Sequence, residues 1–228
     1  MQKGKGKDVV FLHGYLSSKE SFSAQIAYFS KFYRVTAIDF LGFGHSMALT
    51  KPFSVDDYAE WTKEILLALG VKKPHVIAHS FGCRVAVKLA CKDRDFFDKI
   101  VLTGPAGVIL KRGLSYRVKV KTYRFVRRFA PNFARRHFGS AEYKTLSPIM
   151  QESYKKIVNE DLRENARRID NETLILEGAK DTTTTLAEAE VYASCIKNAR
   201  LQIIDGGHFA FVENPLQFNL NVEEFLYV

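Results

Sequence analysis

The chain is short of cysteine and of long apolar runs, and one thirty-residue stretch holds no acid at all. The three cysteines, Cys83, Cys91 and Cys195, are odd in number and widely spaced. They fit neither a disulfide framework nor a zinc knuckle, and a reduced, cytoplasmic setting is the expectation. No uncharged run approaches the roughly 18 residues of a membrane span. The opening MQKGKGKDVVFLHGY carries too few apolar residues for a signal peptide. No histidines and carboxylates stand at metal-ligand spacing, so no metal is expected. Gly42-x-Gly44 lacks the third glycine and the acidic partner of a dinucleotide site, and no cofactor is expected. From Lys111 to Ser140 there is no Asp or Glu against ten Lys and Arg, which accounts for much of the net charge of +9.

What is present is enough apolar material, 46% of 228 residues, for one sizeable core. The pattern alternates. Apolar strand-like runs occur at Val9–Leu12, at 33–40 (YRVTAIDF), 75–80 (HVIAHS), 99–106 (KIVLTGPA), 172–178 (ETLILEG) and 199–205 (ARLQIID). Helical segments lie between them: one capped near Ser17 or Ser18, one opening at Ser54 and closing at Gly70, and one starting at Phe81. Two more span 185–197 and 214–228. Strand and helix in alternation predict an α/β fold, a mostly parallel sheet of about six strands covered on both faces. One basic, aromatic, helix-like insertion, residues 109–168, interrupts a core made of 1–108 and 169–228.

The stretch VIAHSFGCRVAV, residues 76–87, runs from strand into helix through Ser80, with Ala78 two before it and Gly82 two after. That is the pattern of a nucleophile elbow, in which a tight turn lifts the hydroxyl clear of the sheet and leaves no room for bulk on either side. Ala78 departs from the usual glycine but keeps the turn narrow. Serine is a weak nucleophile and needs a base, and the base needs an orienting acid. The chain supplies both in the order Ser80, Asp181, His208, the latter two just past strand ends in EGAKD and GGHFAF. In a parallel sheet such ends share one edge. Backbone N–H groups of Phe81 and Tyr15 are the expected oxyanion donors.

Taken together, FLHGYLSS, DFLGFGHS, AHSFG, EGAKD and GGHFAFVENP resemble the oxyanion, Asp-x-x-Gly-x-Gly-x-Ser, elbow, acid and histidine loops of the α/β-hydrolase fold superfamily, serine hydrolases with a helical cap. They run in order from residue 9 to 215. The resemblance implies a cofactor-free hydrolase of esters or thioesters, with residues 109–168 as a short cap. Only about eight residues precede the His-Gly strand, so the family's N-terminal hairpin is expected to be missing. HSFGCR also resembles the Ser-x-Gly-Gly-Arg run of the pyruvate-eliminating lyase of menaquinone biosynthesis. This makes Arg84 a candidate for gripping a substrate carboxylate, beside its reading as a structural salt bridge. A lyase acting on a carboxylate, or a non-catalytic binding protein on the same scaffold, are the alternatives to the hydrolase.

Other residues have plainer readings. Asp205 is a rival acid but precedes His208 too closely to reach the far ring nitrogen. His79 is expected to pack away from the site, His13 to support its loop by hydrogen bonding, and Cys83 to fill space. In the insertion, Leu114, Val118, Phe125, Phe129 and Phe133 trace one helical face, with a break at Pro131. Its charges then face solvent, and an anionic substrate or an acidic membrane surface are the partners they would suit. No recognition motif supports nucleic acid.

Overall fold

The structure, a computed structural model, describes residues 1–110, 143 and 145–227. Its elements in chain order are β1 Gln2–Lys3, β2 Asp8–Leu12, α1 Ser23–Phe29, β3 Arg34–Ile38, α2 Val55–Ala68, β4 His75–His79, α3 Phe81–Lys92 and β5 Ile100–Thr103. After these come α4 Pro148–Val158, α5 Arg163–Ala166, β6 Thr173–Gly178, α6 Leu186–Cys195, β7 Ala199–Ile204, α7 Ala210–Glu213 and α8 Pro215–Tyr227. A 3₁₀ turn, Lys19–Phe22, leads into α1. Among the described residues no helix is long and apolar enough to cross a membrane.

The seven strands form one sheet in the order β1-β3-β2-β4-β5-β6-β7. The six strands expected from the sequence are all there and mutually parallel. The seventh is an addition: β1 pairs antiparallel with β3 through Gln2 opposite Thr36 and Lys3 opposite Val35. The edge that was expected to be bare therefore carries a two-residue stub. Both of its residues are exposed, so burial leaves no alternating mark on the sequence there.

Successive strand side chains point to opposite faces, and the core divides accordingly. Val10 and Leu12 join Val76, Ala78, Phe81 and Leu66 on the side of α2 and α3. Val9 and Phe11 join Phe22, Phe29, Phe211 and Phe218 on the side of α1 and α8. Helix α2 starts as the sequence indicates. Ser54 Oγ accepts from the Asp57 N–H at 3.2 Å, and the Asp57 carboxylate accepts from the Ser54 N–H at 2.7 Å. This reciprocal capping box satisfies two helix-end donors. Helix α3 is buried along its length from Phe81 to Cys91, so the two cations in that stretch, Arg84 and Lys88, must find partners inside. Lys88 pairs with Asp56 at 3.0 Å and Glu160 at 2.5 Å.

The order of strands reverses direction between β2 and β4: from β2 the chain winds to β3 on one side, then to β4 on the other. Ligands of open parallel sheets bind at such a switch point, beyond the carboxyl ends of the strands. The basic stretch Lys111–Ser140, its apolar face and most of the 109–168 insertion lie outside the described residues.

Candidate active site

Ser80 follows β4 directly and opens α3. Its backbone sits at φ 50°, ψ −106°, a left-handed conformation that side chains other than glycine's rarely take and that costs about 1–3 kcal/mol. Two bonds over-determine it: the Ser80 N–H donates to Thr103 O at 3.1 Å, and Ser80 O accepts from the Cys83 N–H at 3.1 Å. Gly82 is obligatory for contact reasons, since a Cβ there would lie 2.2 Å from Leu12 O. Cys83, expected as a filler, is buried and donates its thiol to Ala78 O at 3.1 Å, and burial raises its pKa well above the usual thiol range.

Past the end of β6, Asp181 meets His208 from the loop after β7, with Oδ2 2.7 Å from Nδ1. Its other oxygen, Oδ1, accepts the N–H groups of Thr183 at 2.7 Å and Thr184 at 3.1 Å. Thr184 Oγ1 donates to Asp181 Oδ2 at 2.9 Å and stands 3.1 Å from His208 Nδ1. Burial alone would raise the Asp181 pKa, but His208 and these donors outweigh it and hold the carboxyl at about 2. The rival Asp205 is elsewhere, exposed and paired with Lys180 at 2.7 Å. Sequence reasoning did not single out Thr184. The run of threonines 182–185 after the acid was the available signal, because short hydroxylated side chains there can return to the carboxylate.

Ser80 and His208 are walls of one cavity of about 460 Å³. No hydrogen bond is closed between the Ser80 hydroxyl and the His208 ring, a looseness common before substrate binds. Tyr15, Phe81, Arg84, Tyr154, Ile157 and Glu188 are among its other lining residues. Tyr15 anchors one wall: its ring meets Phe43, Tyr154 and Phe81 at centroid separations of 4.8, 5.2 and 5.6 Å, and its hydroxyl donates to Met150 O at 3.3 Å.

Arg84 is buried, and its Nη1 donates to Ile157 O at 2.7 Å and Glu160 O at 2.8 Å. It thus satisfies carbonyls at and just past the C-terminal end of α4, tying α3 to the cavity roof. Burial lowers its pKa, and among the described residues no carboxylate stands within ion-pair distance of it. The salt bridge that the sequence allowed for Arg84 is therefore replaced by hydrogen bonds to main-chain oxygens.

His13 does support its loop. Its Nδ1–H donates to Gly14 O at 2.7 Å while Nε2 accepts from the Phe40 N–H at 3.1 Å. This joins the loops after β2 and β3 through a neutral ring whose pKa burial lowers. Among the described residues one trio, Glu20, Asp39 and His45, has possible ligand atoms within 4.8 Å of one another. The Lys19 ammonium already engages Asp39 at 2.6 Å and Glu20 at 2.9 Å, which makes the trio an ion-pair cluster.

Comparisons with known proteins bear on the fold that carries this site. The family model described as the alpha/beta hydrolase fold matches residues 8–149, more than half the chain. The chain is 28% identical over 215 residues to a 2-hydroxymuconate semialdehyde hydrolase of Pseudomonas putida, covering 85% of this chain and 76% of that one. It is 30% identical over 104 residues to an (E)-2-((N-methylformamido)methylene)succinate hydrolase of Acinetobacter baylyi, covering 45% of this chain but only 40% of the relative. Among solved structures, an esterase from Exiguobacterium antarcticum superposes with a TM-score of 0.81 at 20% identity, covering 100% of this chain and 94% of that one. The chain belongs to the alpha/beta hydrolase fold family, and both of these relatives are named as hydrolases.

Proposed function

We propose that the protein is a serine hydrolase that cleaves a carboxylic ester or thioester through an acyl-enzyme. The observation that carries this reading is the 2.7 Å Asp181–His208 contact on the same cavity as a serine held at φ 50°. In this reading Ser80 Oγ attacks the carbonyl carbon while His208 Nε2 takes its proton. The tetrahedral oxygen collects negative charge between the N–H groups of Phe81 and Tyr15, at the head of α3 where the helix dipole favours an anion. Collapse expels the alcohol or thiol, which leaves with the proton from His208. Water, deprotonated by the same nitrogen, then releases the acid and restores Ser80. Asp181, ionised with its pKa at about 2, fixes the ring with Nε2 toward the serine and balances the imidazolium. No step calls for a metal or a cofactor.

Arg84 supports a narrower class, substrates that carry a carboxylate beside the scissile bond. A buried guanidinium held by carbonyls alone, on a cavity wall, is completed electrostatically by an anion. The names of two relatives, a succinate-derived amide and a muconate semialdehyde, point the same way. In the lyase alternative Ser80 and His208 abstract a proton while Arg84 binds the carboxylate; pyruvate release would mark it, whereas turnover of p-nitrophenyl acetate marks the hydrolase.

A fluorophosphonate probe tests the reading. Stoichiometric labelling of Ser80, with p-nitrophenyl acetate turnover lost in both the labelled protein and Ser80→Ala, is the expected result. Labelling at another residue, or undiminished turnover by Ser80→Ala, would defeat it.

A further inference from the structure

His79 looks at first like packing. It is the last residue of β4, 1% exposed, and its ring lies among those of His208, Phe209 and Phe211 at centroid separations of 4.6, 4.9 and 4.9 Å. Two details do not suit a filler. One ring nitrogen, Nε2, is 2.9 Å from the main-chain oxygen of His208. The other, Nδ1, is buried with no hydrogen-bond partner among the described residues. An orphaned ring nitrogen is a cost that leucine or phenylalanine would not carry, so the residue is kept for the bond on its other edge.

That bond matters because of the loop it reaches. His208 follows Gly206 and Gly207, and Gly206 sits at φ 140°. Two glycines in a row confer no backbone preference of their own. Restraint comes from outside: the Glu213 carboxylate accepts the Gly207 N–H at 2.8 Å, and Gly206 O accepts the Lys180 N–H at 2.9 Å. Neither touches His208 itself. Asp181 and Thr184 hold one edge of its ring, and His79 holds its carbonyl and packs against the ring from the side of the nucleophile strand. A rigid strand residue adjacent to Ser80 thereby sets the distance between the Ser80 backbone and the His208 backbone. The fold makes room for this. Gly14 approaches so closely that a Cβ there would lie 2.8 Å from His79 Nδ1.

We propose that His79 is a positioning residue for the base: its neutral imidazole, as the Nε2–H tautomer, donates to the His208 carbonyl and holds the histidine loop in register with Ser80. The proposal rests on the Ser80–His208–Asp181 reading above. Burial, with the nearby His208 adding to it, holds the His79 pKa at about 3, so the ring stays neutral at any pH where the enzyme would work.

Two measurements test it. The first reads the contact without relying on activity. ¹⁵N–¹H correlation spectra of the wild-type side chains should show His79 as a neutral Nε2–H tautomer, unchanged from pH 5 to 9. A Nδ1–H tautomer, or protonation within that range, would overturn the proposal. The second separates the hydrogen bond from the packing. His79→Gln keeps an N–H at similar reach, whereas His79→Leu and His79→Phe fill space without a donor. Leu and Phe should each lower kcat roughly 10- to 100-fold, the scale of an ångström misplacement, with KM within about twofold. Gln should recover most of the loss. Equal activity in all three variants, or equal loss in Gln and Phe at similar melting temperature, would reduce His79 to packing. Should Leu fail to fold, the Gln and Phe pair decides. If wild type and Ser80→Ala hydrolyse esters equally, the triad reading itself has failed and the catalytic proposal goes with it, while the spectra still report whether the His79–His208 bond exists.

Discussion

Asp181 and His208 come from loops separated by a full strand and helix, yet Oδ2 and Nδ1 stand 2.7 Å apart, and Thr184 Oγ1 touches both. Burial opposes ionisation of the carboxylate, but His208 and the hydrogen-bond donors around it outweigh burial, and its second oxygen is occupied by two backbone N–H groups. The acid is therefore fixed in both charge and direction. Asp181→Asn should fold normally and lower kcat by about 10⁴, the scale seen when a triad acid becomes an amide and selects the wrong tautomer. Thr184→Val removes one of the donors and leaves the acid, so about a tenfold loss is expected, worth roughly one neutral hydrogen bond. Asp205→Asn should stay within about twofold of wild type, because that carboxylate is an exposed partner of Lys180. Steady-state kinetics of the three variants on one ester check the ranking.

The strained serine gives a prediction in which stability and activity move in opposite directions. At φ 50° glycine is at ease and serine is not. Ser80→Gly should be more stable than wild type by about 1 kcal/mol, the strain relieved less the added freedom of the unfolded chain. Ser80→Ala keeps the strain and should gain nothing. Both should lose ester hydrolysis by several orders of magnitude. Urea unfolding of the three proteins reads the first claim and turnover the second.

These features were unequally visible beforehand. Strand ends marked by His13-Gly14, Ser80 and Asp181 could be read because β2, β4 and β6 are buried and largely apolar, so a polar residue just past such a run announces the site edge. His208 follows the exposed strand β7 and was legible from its Gly-Gly-His loop instead. The capping box at Ser54 was local and equally legible. β1 was not, since two exposed residues beside Gly4 carry no apolar alternation. The role of Arg84 could not be read either: its partners are main-chain oxygens of Ile157 and Glu160, and carbonyls have no sequence signature. The same holds for His79, whose acceptor is the carbonyl of a residue 129 positions later.

Arg84 has two tasks in this reading, and a matched pair of substrates separates them. Arg84→Met leaves the carbonyls of Ile157 and Glu160 without their donor, which should lower activity on any ester. The loss of the charge should fall on anionic esters alone. The ratio of kcat/KM for an anionic ester over a neutral ester of the same shape should drop by a factor equivalent to roughly 2–5 kcal/mol, as for truncated buried charge pairs, and should resist added salt. An unchanged ratio would make Arg84 purely a brace between α3 and α4.

The last prediction concerns Glu177, one residue before the end of β6 and wholly buried. Among the described residues no donor group is within hydrogen-bonding distance of either carboxyl oxygen, and the charged group beside them is the Asp181 carboxylate. Burial, and then the negative charge of Asp181, push its pKa up to about 8 from an ordinary 4.5. In the unfolded chain the carboxyl gives up its proton near pH 4.5, while in the folded chain it keeps that proton to about pH 8. Between these values unfolding releases a proton, so stability must fall as pH rises, by on the order of 1 kcal/mol per pH unit, and level off once both states are ionised. This slope is opposite in sign to that of Asp181, whose depressed pKa of about 2 withdraws stability only in acid. Glu177→Gln keeps the shape and the neutrality and removes the titration. Its stability should match wild type near pH 5 and exceed it by roughly 2–4 kcal/mol at pH 8. Urea denaturation of both proteins at pH 5, 6.5 and 8 measures the difference directly. A gap that does not widen with pH would mean that Glu177 is ionised in the folded protein and has a partner that offsets its burial.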